Sequence, residues 1–450
     1  MLKSVAQLYF KLLNKPYWNK NAKITCIEHT DSSISVLWDK VSGKNIQNYV
    51  LYCNGQVVAR LAANVQSYTV TGLDRSTNYM FKVEACDSKT ETKDGPYALF
   101  STRFEPSDKK IVRKIVFKSG DGYPNYRIPG IVATAKGTLI AVAEARKTYS
   151  DWADMDAVII RSEDNGETWS KPFVAGNGIA RKTTVNNPTL LAAKNGDIFL
   201  FYCEQYGVKS RKGGVFYRKS RDDGLTWGEA VNISDSCLPE YHSVIAVGPT
   251  HGIETSDGTY IVPVWMVPAS AKVRKTSHHP SVVSVLYSKD FGNSWHMGDI
   301  IEKGIVNPSE TVAVELSDGK IMLNMRNESG YKQRAFTVSQ NGYSGWSAVE
   351  YDKTLIEPVC NAALVKGNSG ELIFINPESV SKRKNATVKV SFDNGKTWKA
   401  KRQLNSKNSA YSDAAVTDDG TIHVLLETSP GMSISYYRFT LDWVKSGKDI

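Results

Sequence analysis

SEDNGETW (162–169), SRDDGLTW (220–227), SKDFGNSW (288–295) and SFDNGKTW (391–398) are four copies of one phrase, Ser-x-Asp-x-Gly-x-Thr/Ser-Trp. A fifth stretch, SQNGYSGW (339–346), lacks the Asp but keeps a Gly and the closing Trp. Like phrases at intervals of roughly 50–70 residues mark an array of like structural units. In each copy the Asp side chain can bond nearby backbone and the Gly can take positive φ, which makes a tight turn between two strands. The Trp is expected to cover that turn and pack onto the next unit. Such turns, one per unit, predict a β-propeller with the boxes ringing its edge. The four Asp residues are therefore read as structural. Placed one per blade at the same hairpin, they cannot meet in one pocket.

Working outward, strand candidates crowd the boxes: TLIAVAEA, AVIIRS, DIFLFYC, TYIVPVWM, VVSVLYS, KIMLNMR, ELIFINP, TVKVSF and TIHVLLE. Five boxes plus a closing blade shared between the ends predict a six-bladed propeller over residues 111–450, all-β and poor in helix. Residues 22–104 differ. Short strands such as ISVLWDKV, NYVLYCNG and NYMFKVEAC surround Trp38, a core anchor. Leu73 and Tyr79 have the spacing of a tyrosine corner. This stretch resembles a fibronectin type III module, a β-sandwich. Residues 105–110 read as a linker, and 1–21 as an N-terminal segment with a short amphipathic helix.

Composition narrows the partners. The chain has 450 residues, 41% hydrophobic and 23% charged, enough apolar mass to bury a core. Its net charge of +10 comes without a Lys/Arg run of the length that marks a nucleic-acid patch, so no nucleic-acid partner is expected. No CxxC or Cys/His metal spacing occurs, and the six Cys read mainly as buried thiols with at most one disulfide. No apolar run reaches the length of a membrane helix. The start, MLKSVAQLYFKLLNKPYW, lacks a small-residue cleavage site and makes a poor signal peptide. A secreted or cell-surface location and a cytoplasmic one both stay open. A monomer is expected.

The chemistry-bearing residues lie outside the boxes. YRIP (126–129), the boxes and the landmarks that follow them in order resemble the sialidase (neuraminidase) family of exo-acting glycoside hydrolases. The resemblance covers about three quarters of the chain. It implies a substrate with a carboxylate on the anomeric carbon, which planar guanidinium groups hold bidentately. Arg127 in YRIP, Arg326 in NMRNESGY and Arg383 in NPESVSKRKNAT match the family's three arginines. Tyr411 in NSAYSDAAV matches its nucleophile, and Glu310 in NPSETVAVE the base beside it. A tyrosine suits this substrate. An attacking carboxylate approaching the sugar's own carboxylate to about 4 Å would be repelled by about 1–4 kcal/mol, and sialidases depart from the two-carboxylate rule.

EARKTYSDWADMD (144–156) supplies the rest. Arg146 resembles the arginine that contacts ring hydroxyls, and Asp151 the acid/base that protonates the leaving oxygen. Asp154 competes for that role, while Asp156 opens a strand and reads as structural. Closure of this loop is expected to desolvate Asp151 and raise its pKa. No metal or organic cofactor is implied, and sialylated glycans are the expected partners. The chain also departs from the family. IEPVCNAAL has Val359 and Cys360 where Tyr and Cys are common, and TTVNNPTLL offers Asn186 and Asn187 where many members carry an Asp. Trp152 and Trp265 either line the pocket or pack blades. Three readings follow: an exo-α-sialidase, the same mechanism on another 3-deoxy-2-ulosonic acid (deaminated or of the Kdo type), or a non-catalytic sialoglycan-binding propeller.

Overall fold

At all four boxes the same hydrogen-bond set forms. The Asp accepts from the backbone N–H and the hydroxyl of the Thr or Ser four residues on, as Asp164 does from Thr168 (2.9 and 2.5 Å) and Asp290 from Ser294 (2.9 and 2.6 Å). The leading Ser hydroxyl donates to the Asp and accepts the Gly N–H (Gly166 to Ser162, 2.8 Å). Hydroxyl donors, with the backbone amides, hold Asp222, Asp290 and Asp393 at about 2, so these turns stay ionised and closed. Two successive residues, not the Gly alone, take left-handed φ: Asn165 and Gly166 at 60° and 82°, Phe291 and Gly292 at 60° and 79°. In the worn copy Asn341 replaces the Asp, its Oδ1 accepting from Ser344 N–H at 2.9 Å.

The boxes lean on the preceding blade, not on the next one as expected. The Trp169 ring of the first blade lies 5.2 Å from Tyr436 of the sixth, and Trp295 of the third lies 4.8 Å from Phe201 of the second. The twist across each sheet swings its outer half over its predecessor.

The computed structural model describes all residues except 1–14, 31, 44–45, 75–76, 88–91, 93–94, 103–110, 206–213, 238–240, 269, 272–277, 429–432 and 448–450. The chain divides into two units, Met1–Asp108 and Lys109–Ile450. The second is a six-bladed ring. Blade one is Asn125–Ala133, Leu139–Arg146, Met155–Ser162 and Phe173–Gly176, an antiparallel meander. Blades two, three and four begin with Thr184–Ala192, Tyr241–Val247 and Thr311–Glu315. Blade five begins with Ala363–Lys366, and its last strand runs on as Ala400–Val416 into blade six. Blade six closes the ring between the ends of the unit, since Val112–Phe117 pairs with Ser433–Thr440. Inner strands are buried on both faces, which explains runs such as LIAVAEAR with no polar alternation. Helix is confined to Ser234–Cys237 and Leu441–Lys445 among the described residues.

The first unit is a sandwich of a three-stranded and a four-stranded sheet. Trp38 is buried against Tyr49, ring centroids 5.7 Å apart. The tyrosine corner is present: Asp74 N–H donates to the Tyr79 hydroxyl at 2.8 Å. The helix expected over 1–21 falls largely outside the described residues, and its described end is not helical. Pro16 lacks the amide a helix needs, Tyr17 bridges Ser42, and Trp18 enters the sandwich core with its indole N–H on Thr92 (3.0 Å). The linker expected at 105–110 lies outside the described residues. Cys53, Cys203 and Cys360 are buried free thiols. No helix among the described residues is long and apolar enough to cross a membrane. No group of three or more His, Cys, Asp or Glu among them is placed to hold a metal ion.

Candidate active site

Strand direction sorts the side chains. First and third strands of a blade enter at one end of the ring, and second strands leave there. Arg127 and Tyr411 lie near the start of inner-strand segments, and Glu310 immediately precedes one. Arg146 ends a second strand, Arg326 follows one, and Arg383 precedes a third strand. All six therefore emerge at the same end. The boxes, between third and fourth strands, turn at the opposite end. The six residues and Asp151 line a single open cleft.

Three guanidinium groups from blades one, four and five face it, each steered by an acceptor. Arg127 donates from Nε to Glu427 Oε1 (3.2 Å) and from Nη1 to Asp151 Oδ1 (3.4 Å). Glu427 also accepts the Ile128 N–H at 2.9 Å. Ile128 has φ of 54°, a costly conformation for a β-branched residue, and this buried carboxylate helps to hold it. Arg326 Nη1 donates to Glu310 Oε1 (2.8 Å) and to the Tyr411 hydroxyl (2.9 Å), while its Nε has no partner among the described residues. Arg383 Nη2 donates to the Val359 carbonyl at 3.0 Å.

Tyr411 stands between these cations, with the guanidinium carbons of Arg127 and Arg383 at 5.2 and 5.4 Å from its ring centroid. Its hydroxyl donates a short hydrogen bond to Glu310 Oε1. The side chain is buried, 6% exposed, and packs on Ile128 and Cys360. Burial, then the Glu310 charge, raises the phenol pKa against the pull of the three arginines. Burial also works against ionisation of Glu310. Arg326, the Tyr411 hydroxyl and the Ser309 hydroxyl (2.7 Å) outweigh it and hold the carboxyl at about 2. The resting pair is a neutral phenol donating to a carboxylate. Cys360 is inert, its thiol pushed up to about 12 by burial.

Asp151 lies on the bend after the second strand of blade one, its side chain 57% exposed. Its Oδ1 accepts from Arg146 Nη1 at 2.8 Å. Arg146 is fixed from below by the fully buried Glu144 (Nε to Oε2, 2.7 Å), whose other oxygen accepts the Asn187 N–H (2.7 Å). The expected rise in the Asp151 pKa belongs to a closed loop; in this open arrangement the shift runs downward. Partial burial raises it, but Arg146 and Arg127 outweigh burial and lower it. Asp154 instead faces Lys147 (3.3 Å) and does not line the cleft. Asp156 is buried under the Tyr123 hydroxyl (2.9 Å) and the Ile179 N–H (2.8 Å).

Asn186, Asn187, Trp152 and Trp265 line the cleft, as do His278, His279 and Glu328, which sequence reasoning missed. It also missed Glu427 and Glu144. Glu427 sits 300 positions from its arginine, and Glu144 lies inside an apolar strand. The one signal was chemical: a charge inside a fully buried strand demands a partner.

Comparison with known proteins agrees with the geometry. The family described as BNR repeat-like domain matches residues 173–424, and that described as fibronectin type III domain matches 20–97. The sialidase of Bacteroides fragilis is 30% identical over 390 residues, 78% of this chain and 69% of that protein. The sialidase of Micromonospora viridifaciens is 29% identical over 354 residues, 72% of this chain but 53% of that protein, so the chain spans about half of it. Among solved structures, a Hadza microbial sialidase superposes with a TM-score of 0.65 at 20% identity, covering 95% of each chain. The Trypanosoma rangeli sialidase superposes with a TM-score of 0.60 at 18% identity, over 76% of this chain and 60% of that one. The propeller, its repeats and this degree of identity to a bacterial sialidase show that the chain belongs to the sialidase family of glycoside hydrolases.

Proposed function

We propose that this protein is a retaining exo-α-sialidase that removes terminal sialic acid from glycoconjugates through a tyrosyl-enzyme intermediate. One observation carries the reading: three guanidinium groups from three blades converge around a buried tyrosine that is hydrogen-bonded to a buried carboxylate. A site that only bound sialic acid would need the arginines and no buried base.

Arg127, Arg326 and Arg383 take the sugar carboxylate as a planar, bidentate cation set. With its carboxylate held there, the anomeric carbon lies over the Tyr411 hydroxyl. Asp151 gives its proton to the leaving oxygen, and Tyr411, its own proton passing to Glu310, forms the bond to the anomeric carbon. Glu310 at about 2 is a weak base in the resting site. The transfer becomes favourable only as positive charge grows on the sugar, so phenolate character appears in the transition state, where it lowers the barrier. The bound carboxylate also shares Arg127 with Asp151. That relieves one of the charges that lower the Asp151 pKa and frees it to hold a proton. In the second step Asp151 deprotonates water, which attacks the same carbon as the bond to Tyr411 breaks; Glu310 returns the proton to the Tyr411 oxygen, and the sugar leaves with retained configuration.

The departures at Asn186, Asn187 and Val359 support a second reading, the same reaction on a deaminated or Kdo-type acid. The test is release of 4-methylumbelliferone from its α-sialoside by wild type and by Tyr411→Phe, with NMR of the released sugar. Turnover that falls by orders of magnitude in the variant, with the α-anomer as first product, is expected. Turnover of the deaminated or Kdo-type glycoside alone supports the second reading. A folded wild type inactive on all three glycosides overturns both.

A further inference from the structure

The bend that carries Asp151 is held from across the cleft. Asp151 sits at its tip, half exposed, with its neighbour Trp152 reaching toward blade three. There the Trp152 ring lies 5.9 Å from that of His278, tilted by 33°. A second contact of the imidazole is Trp265, at 5.7 Å and 77°. Trp265 is 7% exposed in the strand Tyr260–Pro268, so it is a fixed wall. The next residue, His279, pairs with Glu328 at 3.3 Å, which ties the same segment to the loop after Arg326. A row of three rings, Trp–His–Trp, thus joins the loop of blade one to the body of blade three, and all three line the cleft.

Asp151 needs such support. Among the described residues its side-chain hydrogen-bond partners are Arg146 and Arg127, both on its own blade. They hold the carboxylate back toward the sugar-acid side of the cleft, whereas proton donation requires it to face the leaving oxygen. We propose that His278 is a positioning residue for Asp151: wedged between Trp152 and Trp265, its ring fixes the bend so that the carboxyl meets the leaving group. This inference rests on the general-acid role proposed above for Asp151.

The charges around the imidazole agree with a packing role. It faces Asp151 from blade one, Glu310 and Arg326 from blade four, and His279 from its own segment. Burial lowers its pKa, with Asp151 and Glu310 opposing, so the ring is neutral at neutral pH. A protonated ring would favour the Asp151 carboxylate, the form that cannot donate.

Two substrates separate positioning from general damage. An aryl α-sialoside expels a phenolate and needs little protonation. Sialyllactose must expel a sugar alkoxide and depends on the acid. For His278→Ala, kcat/KM on sialyllactose is expected to fall about 30- to 100-fold and on the aryl sialoside less than about threefold. His278→Phe, which keeps a flat ring, is expected to restore the ratio of the two to within about threefold of wild type. That ratio, taken on one preparation, is independent of the folded fraction, so a partly misfolded variant still gives an answer. Equal losses on both substrates, or a Phe variant whose ratio is as poor as that of Ala, overturn the assignment while wild-type turnover leaves the proposed function standing. Wild type inactive on both substrates overturns the two together.

Discussion

Glu310→Gln removes the charge facing Arg326 and the Tyr411 hydroxyl while keeping the shape of the side chain. In the folded protein this carboxyl is held at about 2, against an ordinary 4.5. That gap corresponds to about 3 kcal/mol in favour of the charged form. Because the folded pKa lies below the unfolded one, the contribution is complete above pH about 4.5 and is lost as pH falls toward 2. The variant is therefore expected to be about 3 kcal/mol less stable at pH 7, with the difference shrinking below pH 4.5. A value of about 3–5 kcal/mol is also what a buried pair loses when one partner is removed. The kinetic loss is separate. An amide cannot take the phenol proton, so kcat is expected to fall about 10²- to 10⁴-fold. KM should change little, because the three guanidinium groups remain. Kinetics on the 4-methylumbelliferyl sialoside, with denaturant melts at pH 7 and pH 3, measure both. A variant with kcat within about threefold of wild type and no loss of stability at pH 7 would show that Glu310 neither takes the phenol proton nor stabilises the site as a charge.

Asp151→Asn is expected to lower kcat on sialyllactose about 10²- to 10⁴-fold and on an aryl sialoside far less, so a plot of rate against leaving-group pKa steepens. Arg383→Lys exchanges a planar fork for a point charge and should raise KM about 10- to 100-fold with kcat nearly kept, read from initial rates. Gly292→Ala sets a methyl 2.4 Å from the Phe199 ring at φ of 79°. A cost of about 2–3 kcal/mol is expected in denaturant melts, with kcat unchanged because the box turns at the far end of the ring.

Local chemistry was legible in the sequence, and long-range pairing was not. The boxes announced the blades because each turn closes on itself within eight residues. The tyrosine corner was equally local. The direction in which each Trp packs depends on sheet twist, which no eight-residue phrase encodes. Likewise Trp18 joins the sandwich core through Thr92, 74 positions away. At the site, residues that match a phrase (Arg127, Glu310, Arg326, Arg383, Tyr411) were found, and the structure brings them together. The carboxylates that aim the arginines were missed. Glu427 reads as one more residue of a strand until ring closure sets it beside Arg127. The lowered Asp151 pKa of the open site was not legible for a related reason: its direction depends on which cations the fold places nearby, and both arginines reach it.

A covalent trap reads out whether Tyr411 carries the sugar during turnover. A 2,3-difluorinated sialic acid can lose its anomeric fluoride to the nucleophile, while the second fluorine slows release. Intact-mass spectrometry of the treated protein, followed by peptide mapping, should show one glycosyl unit attached to Tyr411, and none in Tyr411→Phe. An adduct on Glu310 or Asp151, or full turnover of the sialoside with no adduct at any residue, would contradict it.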